Sequence, residues 1–425
     1  MKVVVIGGGP SGFSAAMTSK RAGADVALIE RTDALGGFGL IAGVAMRGSA
    51  ASVLTEEKAL GGADYFDICD SIAIHKRIIL PGGDCISTYN VTKLDSRMQA
   101  TLKEANIMFM LRNSVVNMEM VESKIIAVLL QDGRSISGDV FIDATGATEG
   151  PQACNTWGRG CVDCIYRCPT FGPPGGIVEK RVKTVSRLQI NGKPGIIGTS
   201  VLIPISSLSL ALQREVSDKG YVSIPVPHDA IMDADRMMKA GAPEMLRNDI
   251  HKQNVILLDV GGFIKITGLG APMWAASLRS FPGLEDSFIT QPASGAIGHA
   301  VAWTTMAFRN NSLKVDGFEN LFCAGTKSGP ICLLGAVVTG DLAGYNAVSW
   351  GLRLGCLELP KTFAVGAFIN YVGRQIKTKE GLTKGYSLKD TQLLKELRVH
   401  KEDNDDIIRM VHKARLKDIY RTKLC

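Results

Sequence analysis

A glycine turn set between a strand and a helix opens this chain. Val3 to Ile6 is an unbroken apolar run, as expected of a parallel strand covered on both faces. It runs into Gly7, Gly9 and Gly12, spaced G-x-G-x-x-G, and Phe13, Ala15, Ala16 and Met17 follow at helical spacing. Without Cβ atoms the glycines permit a tight turn, let backbone N–H groups close on a pyrophosphate, and bring the helix onto the sheet. The helix N-terminus then favours the negative charge. A second strand, Asp25 to Ile29, ends at Glu30 and Arg31. Glu30 lies 18 residues beyond Gly12, where a carboxylate can accept hydrogen bonds from ribose hydroxyls, which favours an unphosphorylated adenosine ribose. The segment predicts a dinucleotide-binding domain of α/β class.

Three later features choose the cofactor by resemblance. Leu35-Gly36-Gly37 resembles the extended flavoprotein fingerprint, whose loop passes near the flavin end of FAD. Residues 107–142 read as short strands with turns at Asn113-Ser114 and Asp132-Gly133, leading into Asp143-Ala144-Thr145-Gly146. This is similar to the β-meander and A-T-G element of two-dinucleotide-domain flavoproteins. Asn320 to Gly325 then precedes a glycine-punctuated helix, Gly335 to Val348, which resembles the closing FAD element. Gly340 and Gly344 on that helix would allow close approach to the isoalloxazine or to the first helix.

The order of these parts resembles the family of glucose-inhibited division protein A and its relatives, including the folate- and FAD-dependent uridine methyltransferases of RNA. Leu321-Phe322-Cys323-Ala324-Gly325 and Leu342-Ala343-Gly344-Tyr345-Asn346-Ala347 carry the likeness to the family's closing motif. The resemblance implies an α/β fold: a two-segment Rossmann-like FAD-binding domain (1–150 and 311–355), an inserted α+β substrate domain with a cysteine loop (151–310), and a basic helical C-terminal region (356–425). It implies FAD as cofactor. The contacts expected are Gly7, Gly9, Pro10, Ser11, Gly12, Glu30, Arg31, Gly36, Gly37, Ala144, Thr145, Gly146, Gly325, Gly335 and Ala336. RNA-modifying members carry a cysteine in the loop after the first acidic residue. Gly36 to Ser49 contains none, with Met46 and Arg47 in that region. Covalent uridine chemistry needs a thiolate nucleophile, so the broader group of FAD-dependent oxidoreductases is the preferred assignment.

Length and composition agree with a folded chain of two or three domains: 425 residues, 46% hydrophobic and 21% charged. The start leaves no room for a signal peptide, so a cytoplasmic, reducing setting is expected, and the ten cysteines are then better read as core, metal or redox groups than as a disulfide framework. The longest uncharged stretch, Gly195 to Leu212, contains Gly198, Pro204 and five hydroxyl residues and reads as buried sheet and turn, with no membrane span. Net charge is +7, and the region from Lys361 onward carries the whole excess. Such a tail could meet nucleic acid such as RNA, an acidic partner or a membrane surface, or be a solvated helical tail.

Four thiols, Cys154, Cys161, Cys164 and Cys168, fall within fifteen residues, and C-x₂-C-x₃-C-P is similar to bacterial ferredoxin sequences. The alternatives are an iron–sulfur cluster, structural zinc, a redox disulfide between Cys161 and Cys164, and inert core thiols. Cys332, beside the expected flavin loop, and His299 join Cys161 and Cys164 as catalytic candidates, and Arg279 with Trp274 as an anion anchor. The expected function is transfer of hydride or electrons through FAD to an unidentified substrate, a small molecule or a redox protein. The alternatives are an RNA uridine-modifying enzyme and a FAD-bound subunit of a larger electron-transfer complex. A homodimer is among the expected assemblies.

Overall fold

The computed structural model describes residues 1–46, 50–81, 83, 85–146, 189–190, 193–194, 201–226, 253–267, 278–288, 290–292 and 306–425. The central sheet is built from β1 (Lys2–Ile6), β2 (Asp25–Ile29), β6 (Met108–Met110), β10 (Val140–Asp143) and β18 (Leu321–Cys323). All pairings are parallel, in the order β18-β10-β1-β2-β6. Val3, Val4 and Val5 are fully buried, as the continuous apolar run requires of a strand covered on both sides. The last strand comes from the far end of the chain, so two distant segments make one sheet.

On one face lies α1 (Pro10–Arg21), with Pro10 in its first turn, where the missing N–H costs nothing. Against it packs α7 (Leu333–Gly351), hydrophobic on nearly all sides and almost wholly buried. Glycine sets their separation. A Cβ at Gly340 would lie 2.3 Å from the Ser11 carbonyl oxygen, and one at Gly344 would lie 2.4 Å from that of Ala15. The two glycines therefore serve the approach of α7 to α1. The helix also starts two residues earlier and ends three later than the sequence pattern suggested, because Cys332 caps it and its flanks are buried.

On the other face, β7 (Val115–Val121), β8 (Lys124–Leu130) and β9 (Ser135–Ser137) form the antiparallel meander. Its β8–β9 turn is at Asp132-Gly133 as expected, while Asn113-Ser114 precedes β7 and the β7–β8 turn is at Glu122-Ser123. Asn320 fastens it: its Nδ2 donates to the Ile125 and Asp139 carbonyls, and its Oδ1 accepts from the Ile125 N–H.

Between β2 and β6 the chain forms α2 (Gly39–Ala42), β3 (Val44–Met46), α3 (Ala51–Ala59), α4 (Asp64–Ser71), β4 (Ala73–Ile79), β5 (Cys85–Tyr89) and α5 (Val91–Glu104). The strands β3, β5 and β4 make a small antiparallel sheet. The inserted region contains the short strands β11 (Gln189–Ile190) and β12 (Lys193–Pro194), and a second five-stranded sheet. This is β13 (Val201–Pro204), β14 (Tyr221–Pro225), β15 (Asn254–Asp259), β16 (Phe263–Thr267) and β17 (Gln291–Pro292), with helix α6 (Leu210–Lys219). Its pairings are antiparallel, as an α+β insert implies. The stretch read as buried sheet and turn ends instead on the exposed start of α6, with Leu210 69% exposed. Ile256 and Leu258 pack with Ile78 and Ile86, joining the two small sheets.

The C-terminal helices are α8 (Ala364–Gln375), α9 (Thr391–Glu396) and α10 (Asn404–Lys413). Phe363, Phe368, Leu394, Val411 and Tyr420 belong to the same core as α1 and α7. The tail is part of the first domain's body. Among the described residues no helix is long and apolar enough to cross a membrane.

Candidate functional site

The glycine turn is closed by backbone. A Cβ at Gly7 would lie 2.4 Å from the Ala144 oxygen, and one at Gly12 only 1.8 Å from the Gly7 oxygen. These two positions admit no side chain. Gly9 differs: it is the N-cap of α1, and a Cβ there would meet nothing within 4 Å. Its open face adjoins the first N–H groups of α1, where a phosphate would be held by backbone donors and the helix dipole.

Glu30 is 93% buried and fixed against this turn. Its Oε2 accepts from the Gly8 N–H at 2.7 Å, and Oε1 accepts from the Thr32 N–H at 2.8 Å and the Thr32 hydroxyl at 2.9 Å. A carboxylate has about four acceptor positions, so the one left, on Oε2, is available to a hydroxyl donor. Glu30, Arg31, Gly7, Asn113, Ser114 and Thr145 line an open cleft beside the turn.

The other expected contacts close around this centre. The Gly36 N–H donates to the Gly8 carbonyl at 2.9 Å, and a Cβ at Gly37 would lie 3.3 Å from the Gly9 Cα. Asp143, buried at the end of β10, accepts from the Thr145 N–H and hydroxyl, holding Ala144-Thr145-Gly146 in a tight turn. A Cβ at Gly325 would lie 2.7 Å from the Ser11 hydroxyl and 4.0 Å from the Ala336 Cβ. The Thr326 hydroxyl is buried without a hydrogen-bond partner, and a Cβ at Gly146 would lie 3.8 Å from it. An open glycine face, a free acceptor on Glu30 and an unbonded hydroxyl beside Gly146 fit a dinucleotide running from the meander toward α7.

The loop from Gly36 to Gly43 borders this groove. The Tyr89 hydroxyl donates to the Gly39 carbonyl at 2.7 Å, and the Tyr65 hydroxyl sits where a Cβ on Gly39 would be, 2.0 Å away. Gly43 abuts Val260, so the inserted sheet docks directly on the loop. From that sheet the half-buried Lys265 donates to the Ile41 carbonyl at 3.3 Å, and burial pushes its ammonium down to about 7. Burial also lowers Lys389, from the C-terminal region. Sequence reasoning passed over both lysines. The only signal for Lys265 was its place within an otherwise apolar strand pattern, Phe263–Thr267, and Lys389 carried none.

Cys332 is the N-cap of α7, and its sulfur accepts from the Gly335 N–H at 3.3 Å. It borders the groove in a capping role. Arg279 is exposed and donates to the Ser287 carbonyl at 3.2 Å, within its own turn. Cys154, Cys161, Cys164, Cys168, Trp274 and His299 lie outside the described residues, as does Arg47. Among the described residues no group of three or more His, Cys, Asp or Glu side chains is placed to hold a metal ion.

The model of the family described as glucose inhibited division protein A matches residues 2–260. No curated protein sequence matches the chain. Two crystal forms of GidA from Aquifex aeolicus share its fold at 16% identity. Form II aligns over 97% of this chain and 76% of its own with a TM-score of 0.62, and form I over 97% and 78% with 0.61. The family model spans more than half of the 425 residues, across the glycine turn, Glu30, the meander and the first three strands of the inserted sheet. The chain belongs to the glucose-inhibited division protein A family and is a FAD-dependent enzyme.

Proposed function

We propose that the chain is a FAD-dependent oxidoreductase that binds the cofactor along the groove from Glu30 to the N-terminus of α7 and reduces or oxidises a substrate beside the Gly36–Gly43 loop. The observation that carries this reading is the position of Glu30. It is fastened to the glycine turn with one acceptor left over, beside the open face of Gly9. When bound, FAD supplies the exchange of hydride or single electrons. The chain's own residues do the rest. The α1 N-terminus and Gly9 receive the pyrophosphate, Glu30 accepts from the adenosine ribose, and the Thr326 hydroxyl and the Gly146 turn bind further along. The first turn of α7 closes the far end of the groove, with the Gly335 and Ala336 N–H groups taken by the Cys332 sulfur and carbonyl.

In this reading residues 1–150 and 311–355 form the cofactor domain and 151–310 the substrate domain. Lys265 then brings a half-buried cation from the inserted sheet to the loop bordering the flavin end, where it can hold an anionic group or move a proton. Anaerobic purification with a visible spectrum is the test. A two-peaked flavin spectrum, lost in Glu30→Ala together with FAD affinity, supports the reading; wild-type protein that takes up no FAD overturns it. Iron and zinc assays on the same sample decide between the readings of Cys154, Cys161, Cys164 and Cys168.

A second reading, an RNA-modifying enzyme, is supported by family membership and by the surface. Arg409, Lys413, Arg415, Lys417, Arg421 and Lys423 are all exposed, with Asp418 the one acidic residue between Arg409 and Lys423. The missing cysteine in Gly36–Ser49 counts against it. Filter binding of RNA across a salt series separates the two, since phosphate contacts weaken steeply with salt.

A further inference from the structure

The last eight residues form a strap across the base of α1 and α3. Asp418 N–H donates to the Ala59 carbonyl at 3.0 Å and Tyr420 N–H to Leu60 at 2.9 Å. Leu424 N–H and Cys425 N–H both donate to the Ala22 carbonyl, at 2.9 and 3.3 Å, and the Arg21 Nε donates to the Tyr420 carbonyl at 3.3 Å. Tyr420 is thereby fully buried, its ring 6.1 Å from that of Tyr345.

Beneath Tyr420 lie two carboxyl groups, Glu57 from α3 and Asp341 from α7, both without solvent exposure. Gly62 shows how close they are: a Cβ on it would lie 2.6 Å from Asp341 Oδ2 and 2.7 Å from Glu57 Oε1. Asp341 is provided for, since the Thr18 hydroxyl donates to Oδ1 at 2.7 Å and the Ala63 N–H to Oδ2 at 3.0 Å. Glu57 is not: no N–H or hydroxyl donates to either of its oxygens, the Tyr420 hydroxyl is likewise unbonded, and the polar group within its reach is the Asp341 carboxyl. An ionised carboxylate left so would be far costlier than a neutral acid.

The surrounding charges point the same way. Arg21 on α1 is the cation of the pocket, and it is engaged by Asp64 of α4 at 2.6 Å and by the Thr18 hydroxyl at 3.1 Å. Arg421 of the strap lies 4.0 Å from Asp64 at the rim. Glu56, the neighbour on α3, accepts from the Ala364 and Val365 N–H groups at the start of α8 and interacts with Lys401. An ionised Glu57 would thus be a further anion beside Asp341, Asp64 and Glu56. Burial and Asp341 hold its carboxyl well above the ordinary range.

We propose that the C-terminal strap, residues 418–425, is a proton-sensitive latch that closes over a neutral Glu57 and opens with loss of its proton. Opening admits water to Glu57, which then ionises as an ordinary carboxylic acid. Above about pH 5 each opening event releases one proton, so the opening constant rises about tenfold per pH unit until the closed form itself ionises. The latch joins the C-terminal region to the flanks of the two helices whose N-termini face the groove.

The test is amide hydrogen exchange on the full-length protein between pH 6 and 8, with intrinsic chemical rates divided out, read at Asp418, Tyr420 and Leu424. Protection should fall about tenfold per pH unit in the wild type and become pH-independent in Glu57→Gln, or in Glu57→Leu if the amide is not accommodated. Tyr420→Phe keeps the titrating acid and should keep the slope. A flat wild-type profile, a slope that survives loss of Glu57, or one abolished by Tyr420→Phe overturns the proposal.

Discussion

Gly9→Ala separates cofactor contact from fold. The residue has φ −72° and ψ −175°, a conformation open to alanine, and its Cβ would meet no protein atom within 4 Å. As an N-cap, alanine is worse than glycine by about 0.5–1 kcal/mol, while restricting the unfolded chain returns about 0.4–1 kcal/mol. The apoprotein should therefore keep its stability to within about 0.5 kcal/mol. With FAD bound, the new methyl stands on the face assigned to the pyrophosphate, and overpacking there costs about 1–3 kcal/mol, a rise in Kd of roughly 5- to 150-fold. Thermal melts of the FAD-stripped protein and a flavin fluorescence titration measure the two quantities separately. Gly12→Ala is the contrast, because its methyl would lie 1.8 Å from the Gly7 carbonyl oxygen and the turn cannot close. If Gly9→Ala bound FAD like the wild type, the groove assigned here would be wrong.

Glu30→Ala should lower FAD affinity at least about tenfold and also cost stability, about 2 kcal/mol in a denaturant titration, since it strands the Gly8 and Thr32 donors. Asn346→Ala should cost about 2–4 kcal/mol by the same assay without touching the groove. Asn346 is fully buried, donating to Ser312 and Leu357 and accepting from the Leu357 N–H. Stability should fall as pH rises from about 5 to 7: burial holds Glu56 up to about 7 and Asp341 up to about 6. The folded state thus keeps protons that the unfolded chain has released, and the stability these groups give below pH 4 is lost as pH climbs through the folded values. Lys265, lowered to about 7, acts with opposite sign only above that pH. Melts at pH 5, 6 and 7 that showed rising stability would refute the assignment.

The cofactor half of the fold was legible because its residues answer to local rules. A strand buried on both faces shows as Val3–Ile6, and Gly7 and Gly12 are demanded by backbone close approach. One meander turn showed as Asp132-Gly133, but the other, Glu122-Ser123, carries no glycine, proline or asparagine and did not. Other roles depend on partners hundreds of residues away and leave no periodic mark. Gly340 reads as flavin approach or helix packing until Ser11 is seen against it. Asn346 reads as part of a family ending until it is found tying α7 to Leu357. Lys265, Glu57 and Tyr420 are single polar residues in apolar surroundings, and only the assembled core shows where each one sits. Cys332, noticed for its thiol, turned out to hold a helix end.

The seam between α1 and α7 also sets a timetable. Thr18 bonds Asp341 and Ser19 bonds Gly344, partners more than 300 residues apart, and the fifth strand of the central sheet, β18, ends only at Cys323. A ribosome releases the glycine turn first, yet α7, the helix that packs along α1, does not exist until more than three quarters of the chain has emerged. During that interval the edge of β10 and the apolar face of α1 are bare, in a topology dominated by distant contacts. Synthesis of this protein is therefore a long wait for its closing segment, and truncation before residue 333 should give insoluble chains rather than a smaller cofactor-binding protein.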